Sequence, residues 1–187
     1  MGLGPNTRQN RKGMRPVGHR RASRGPSSRH RAMNGATGIG VAILGTDGSP
    51  NARRAAAFLG RLAVRPGDRA IVVSVVERLR SPSLALIPAS TRRLLSGAMA
   101  EVERARYRRA ERHTKVVATT LANAGWRVEA SVRVGTPVEE LLSAAREAGA
   151  KLIVLGARGT SGLSRLLLGS VAEGVVKRAS IPVLLAR

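Results

Sequence analysis

Four small residues in the stretch LGARGTSGLSRLLLGS (155–170) have types and spacing suited to chemistry. Two residues separate Gly156 from Gly159, nine separate Gly159 from Gly169, and Ser170 follows at once. The first pair closes an apolar run, and the Gly-Ser pair opens a helical pattern. Glycines without Cβ let a ligand approach the backbone closely. A helix N-terminus offers free N–H groups and partial positive charge, which suits phosphate. Ser170 adds a hydroxyl donor. A second set, Thr46-Asp47-Gly48-Ser49, follows another apolar run. Asp47 is a poor phosphate partner but a good acceptor for ribose hydroxyls or an adenine amine. An acid opposite a phosphate cradle fits a nucleotide better than a bare anion. Ser49 has a simpler reading as the N-cap of the following helix. The spacing is neither a G-x-G-x-x-G dinucleotide loop nor a P-loop, and GATGIG (35–40) precedes a strand instead of following one.

These residues need elements to hold them. VAILGT (41–46), AIVVSVV (70–76) and KLIVLGA (151–157) are continuous apolar runs, as expected of strands buried on both faces. RVEASVRV (127–134) alternates, with Val128, Ala130, Val132 and Val134 on one side, and IPVLLAR closes the chain as a short strand. Helical periodicity falls between the strands. Ala52, Ala55, Leu59 and Leu62 share one face. A long segment, about 91–124, carries Tyr107, Ala110, Val117, Leu121 and Ala124 on a stripe amid dense charge. Val138, Leu141, Leu142 and Ala145 follow Pro137, and Val171, Val175 and Val176 follow Ser170.

Strict alternation of strand and helix predicts an α/β fold, a single doubly wound open parallel sheet of five strands with helices on both faces. Apolar strands one, two and four belong inside, and three and five at the edges. Right-handed crossovers then give the order 3-2-1-4-5. The topology reverses between strands one and four, and ligands bind at such a switch point beyond the carboxyl ends of the strands. Thr46–Ser49 and Gly156–Gly159 lie at those two ends.

At these residues the sequence resembles the universal stress protein family, whose nucleotide-binding members carry G-x-x-G, nine residues, then G-[ST]. Gly156, Gly159, Gly169 and Ser170 match that pattern, the flanks LIVLG, LSRLLLGSVAE and PVLL match as well, and TDGS looks like the family's first-strand motif. The likeness covers about 40–187 and implies a Rossmann-like, adenine nucleotide alpha hydrolase-like fold. It also implies an ATP-type ligand, with Mg²⁺ held, if at all, through the phosphates. Thr46 and Asp47 would hold base and ribose, and Val75 would contact adenine. The four motif residues, with Val171, would hold ribose and phosphates. A homodimer is implied too. Lys151 and Arg158 depart from the family, which commonly has Asp and His there.

Composition bounds the alternatives. The chain has 187 residues, no cysteine and a formal net charge of +22. Disulfides and thiolate zinc sites are excluded. No apolar run approaches the roughly 20 residues of a membrane span, so no membrane partner is expected and a cytoplasmic location is. Residues 1–38 carry nine basic residues and no acid, and the rest carries 24 basic against 11 acidic. Residues 1–37 are expected to form a disordered basic N-terminal extension, and 38–187 the nucleotide-binding domain. Three readings of the extension stand: a tail (1–34) for nucleic acid or another polyanion, an organelle transit peptide, or a segment upstream of a natural start at Met33. A general abundance of Arg, Ala and Gly is a further source of the charge.

Catalytic groups are scarce. His19 and His30 fall in the extension and His113 on the charged helix, so none is expected at the switch point. No Ser-His-Asp set, H-E-x-x-H or paired metal carboxylates can be read near the motif, nor the acidic set of a receiver domain, nor the Ser-Gly-Gly-x-Asp-Ser loop of an ATP pyrophosphatase. The expectation is a nucleotide-dependent stress or regulatory protein and not an enzyme. The alternatives are a slow ATP-hydrolysing or nucleotidyl-transferring enzyme, and a polyanion-associated interaction protein.

Overall fold

The computed structural model describes residues 38–78, 88–159 and 168–187. The expectations for the basic extension, and for most of the residues between Gly159 and Gly169, lie outside the described residues. The elements alternate: β1 (Val41–Gly45), α1 (Pro50–Gly60), β2 (Arg69–Val76), α2 (Ala89–Asn123), β3 (Arg127–Val134), α3 (Pro137–Glu147), β4 (Leu152–Gly156), α4 (Ser170–Arg178) and β5 (Val183–Ala186). All strand pairs are parallel, in the order β3-β2-β1-β4-β5.

Strand periodicity divides the core in two. Ala42 and Leu44 of β1, Val72 of β2 and Val154 of β4 pack with Ala55 and Leu59 of α1 and with Val117 and Leu121 of α2. Ile43, Val73, Ile153 and Leu155 point the other way, toward Leu141, Leu142 and Ala145 of α3 and Val175 of α4. Trp126, which no periodicity marks, is buried in the first of these layers and donates its indole N–H to the Leu59 carbonyl at 3.2 Å.

Three predicted stripe positions are exposed. Tyr107 is exposed because α2 runs past the carboxyl ends of β2 and β3, where Tyr107 sits beside Val76 and Val134. Ala124 is the C-cap of α2 and lies past its last turn. Val176 faces solvent because the nine-residue α4 buries only Ala172 and Val175. The edge strand β3 buries no side chain fully. Its Arg133 is not simply wet, since the guanidinium grips Glu147 of α3 at 2.6 and 3.1 Å.

Candidate functional site

The carboxyl end of β1 runs into a turn built by its own side chains. The Thr46 N–H still pairs with the Val73 carbonyl at 2.9 Å, so Thr46 is held by the sheet. Its hydroxyl accepts from the Gly48 N–H at 3.3 Å, and the Asp47 carboxylate accepts from the Ser49 N–H at 2.9 Å. Gly48 takes φ +77°, a conformation that L residues with side chains rarely adopt. Ser49 then caps α1, accepting from the Ala52 N–H at 3.1 Å, and Pro50 fills the first helical position, where no donor is needed.

The carboxyl end of β4 is laced to this turn. The Arg158 carbonyl accepts from the Ser49 hydroxyl at 3.4 Å and from the Asn51 amide at 3.3 Å. Ala157 donates to Ala186 of β5 at 2.7 Å and accepts from the Gly169 N–H at 2.9 Å. Gly169 is the N-cap of α4, so the first turn of that helix is pinned beside residues 157–159. The glycines make this approach possible. A Cβ on Gly169 would stand 3.3 Å from the Arg158 Cα, and one on Gly156 would stand 2.7 Å from the Ala52 nitrogen. Gly156 is therefore small for the sake of α1, a reason the sequence did not reveal.

Between these ends lies a cavity of about 380 Å³, within the size range of small-molecule sites. The eight residues to which the family likeness gave a binding role line it, whereas Gly48 and Ser49 do not. Thr46 and Asp47 come from the first strand end, and Val75 from β2. Gly156 and Gly159 come from the β4 end, and Gly169, Ser170 and Val171 from the start of α4. Asp47 and Ser170 are exposed, and Thr46 is buried. Sequence reasoning missed Glu77 and Arg106, which also line the cavity, and gave Arg158 no role in it.

His113 comes nearer than expected: α2 crosses the ends of β1 and β2 and sets it against the Thr46–Ser49 turn, but it lines the groove on the other side of that turn and not the switch-point cavity. Its Nε2 is 3.0 Å from the Ser74 hydroxyl, and the ring lies against the Thr46 backbone. A Cβ on Gly48 would come within 3.0 Å of its Nδ1. Burial lowers the imidazole pKa, Arg109 and Arg112 lower it further, and Asp47 and the Thr46 backbone oppose them. A serine, a histidine and an aspartate thus lie close together. They do not form a hydrolytic triad, for Ser74 is only 2% exposed. Among the described residues no group of three or more His, Cys, Asp or Glu is arranged to hold a metal ion.

Residues 40–187 match the model of the universal stress protein family. The chain belongs to that family. A universal stress protein of Thermus aquaticus is 38% identical over 146 residues, spanning 78% of this chain and 96% of that one. The universal stress protein UspA from Lactobacillus plantarum has the same fold, with a TM-score of 0.65 at 20% identity, covering 81% of this chain and 99% of that chain. A universal stress protein solved in complex with cAMP is 25% identical, with a TM-score of 0.55 and coverage of 81% and 98%. Among the described residues no helix is long and apolar enough to cross a membrane.

Proposed function

We propose that this universal stress protein binds an ATP-type nucleotide in the switch-point cavity and works as a nucleotide-dependent stress or regulatory protein, not by turnover. The observation that carries this reading is that one cavity is lined by all eight residues given a nucleotide-binding role from the sequence, Thr46, Asp47, Val75, Gly156, Gly159, Gly169, Ser170 and Val171. In it, Asp47 and Thr46 take the ribose and base, and Val75 lies against the adenine. Gly159, Gly169, Ser170 and Val171 surround the phosphates at the N-terminus of α4, where helix N–H groups favour an anion. Gly156 keeps the two strand ends close. Mg²⁺, where present, is held through the phosphates, with Asp47 and Glu77 as the cavity's carboxylates. The family structure with cAMP supports an adenine nucleotide as the ligand class. The buried Ser74 supports binding over catalysis, since the hydroxyl beside His113 cannot reach a substrate. The same reading has the protein acting in the cytoplasm as a homodimer joined at the edge of β5.

The test is mass spectrometry of nucleotide released from purified protein, followed by calorimetry with ATP, ADP and cAMP. Gly159→Val should abolish binding, and Ser170→Ala should weaken it by about 1 kcal/mol, the scale of one ordinary hydrogen bond. Unchanged affinity in Gly159→Val overturns the site. Sustained ADP release that disappears in Asp47→Ala overturns the non-catalytic role.

A further inference from the structure

A second concave site lies on the far side of the Thr46–Ser49 turn, and the nucleotide reading makes no use of it. This shallow, open groove offers about 450 Å³ and touches Gly48. It is lined by Arg53 of α1, by Arg109, Arg112 and His113 of α2, and by Val116 and Val117. All three arginines are exposed. Arg53 is already oriented, because its guanidinium donates to the Gly48 carbonyl at 2.7 Å. Arg109 and Arg112 lie near enough to the His113 ring to disfavour its protonation.

Five arginines elsewhere on this surface are paired with acids, although the exposed Arg54, Arg61, Arg127 and Arg146 make no ion pair among the described residues. Arg69 pairs with Glu129, Arg104 and Arg108 with Glu101, Arg133 with Glu140 and Glu147, and Arg178 with Glu139. Among the described residues Arg53, Arg109 and Arg112 make no ion pair. Asp47, the carboxylate that acts on His113, lines the other cavity. Like charges gathered around one hollow repel, and an anion set among them relieves that repulsion. The groove's surface is mostly apolar, with the arginines contributing largely their aliphatic stems, and Val116 keeps 64% of its surface exposed there.

We infer that this groove binds a small, multiply charged, phosphate-bearing ligand, whose phosphate oxygens meet the guanidinium forks and whose carbon skeleton lies on Val116 and Val117. Planar guanidinium groups match phosphate oxygens two at a time. Three cations around one hollow call for more than one negative charge in a small space. The hollow is of small-molecule size, and a nucleic-acid backbone would instead spread its charges along the surface. The inference does not depend on the nucleotide cavity.

The probe is inorganic pyrophosphate added to the full-length protein at constant ionic strength. Binding is read by calorimetry and by the ring signal of His113 in NMR spectra, assigned with His113→Gln. Pyrophosphate should bind and should raise the pH at which His113 titrates. The double variant Arg109→Gln/Arg112→Gln should lose about tenfold or more in affinity, the scale of charged hydrogen bonds. Both side chains are exposed, so its melting temperature should match that of the unmodified protein. Arg109→Lys/Arg112→Lys should recover part of the affinity. Gly159→Val should bind pyrophosphate within about twofold of the unmodified protein, a difference well below one charged hydrogen bond. Unchanged affinity in the glutamine variant overturns the inference. Loss of binding in Gly159→Val also overturns it, and assigns the anion to the nucleotide cavity. A short DNA duplex bound through these arginines without any pyrophosphate binding overturns it in favour of a nucleic-acid surface.

Discussion

Gly156 and Ala52 are in contact through the absence of a side chain: a Cβ on the glycine would lie 2.7 Å from the alanine nitrogen. The Asn51 carbonyl carbon would be equally close. Backbone in a capped helix cannot yield, so any larger residue must push α1 off the end of β4. Gly159 differs. A Cβ there would meet an oxygen of the Asp47 side chain at 2.8 Å, and an exposed side chain can swing. Gly156→Ala should cost about 1–3 kcal/mol, the usual penalty of overpacking. It should lower the melting temperature by several degrees. Gly159→Ala should leave the melting temperature nearly unchanged while displacing Asp47 and weakening nucleotide binding. Thermal melts of the two variants decide the matter, and equal losses of stability would refute the distinction.

His113 makes the stability of this site depend on pH. Its folded pKa lies below its ordinary value, chiefly through burial and then through Arg109 and Arg112, against the pull of Asp47 and the Thr46 backbone. The unfolded chain therefore binds the proton more readily. Stability from the neutral ring is complete above about pH 6.5 and is lost as pH falls through the lower folded value. Protonation makes both ring nitrogens donors, so Nε2 can then only donate to the Ser74 hydroxyl. The stability difference between the unmodified protein and His113→Gln should be constant above neutrality and should change progressively below about pH 6.5. Denaturant melts over a pH series measure it, and a difference independent of pH down to pH 5 would refute it.

Asp68 ties the opposite end of the sheet and has the reverse balance. It is 3% exposed, and burial alone would raise its pKa. Backbone hydrogen bonds from Gly40, Arg65 and Ile39, with the charge of Arg65, hold it below its ordinary value. The Gly40 and Arg65 bonds measure 2.6 and 3.0 Å. Asp68→Asn should cost about 1.5–3 kcal/mol at neutral pH, the range for hydrogen bonds to a charged group, with nucleotide affinity unaffected. The contribution is present above about pH 4 and is lost as pH falls through the depressed folded value. Chemical denaturation at neutral pH checks the cost, and a loss under 0.5 kcal/mol, the scale of an ordinary surface change, would contradict it.

The strands were legible because their environments differ in kind. VAILG, IVVSVV and LIVLG can be apolar throughout only if both faces are covered, and that alone places β1, β2 and β4 inside. With the edges assigned, the switch point and the two glycine-bearing strand ends follow from handedness. The far wall of the cavity was less legible. Arg106 lies on α2, which is about 52 Å long at 1.5 Å per residue, and charge on most of its faces hides where it crosses the strand ends. His113 did carry a signal. It stands three residues after Ala110 and four before Val117, both buried, and so shares their face. Whether a glycine makes room for a ligand or for a neighbouring helix is a property of packing, and no spacing rule separates Gly156 from Gly159.

β5 carries an open backbone edge. The carbonyls of Pro182 and Ala186 bond to β4, and backbone groups alternate in direction along a strand. The N–H and C=O groups of Val183 and Leu185 therefore point away from β4, where among the described residues no strand pairs with them. Their side chains pack toward α3 and α4, and those of Leu184 and Ala186 toward α1. An apolar edge with unpaired backbone groups invites uncontrolled association. A two-fold antiparallel pairing of β5 with its copy would close it, and a homodimer joined there is the expected outcome. Val183→Pro removes one outward donor and leaves the β4 ladder intact, so it should yield monomer or aggregate. Val183→Ala keeps the N–H and should remain dimeric. Sedimentation of all three proteins at micromolar concentration is the measurement. A monomer from the unmodified chain would remove the dimer, and a dimer from Val183→Pro would move its interface away from this edge.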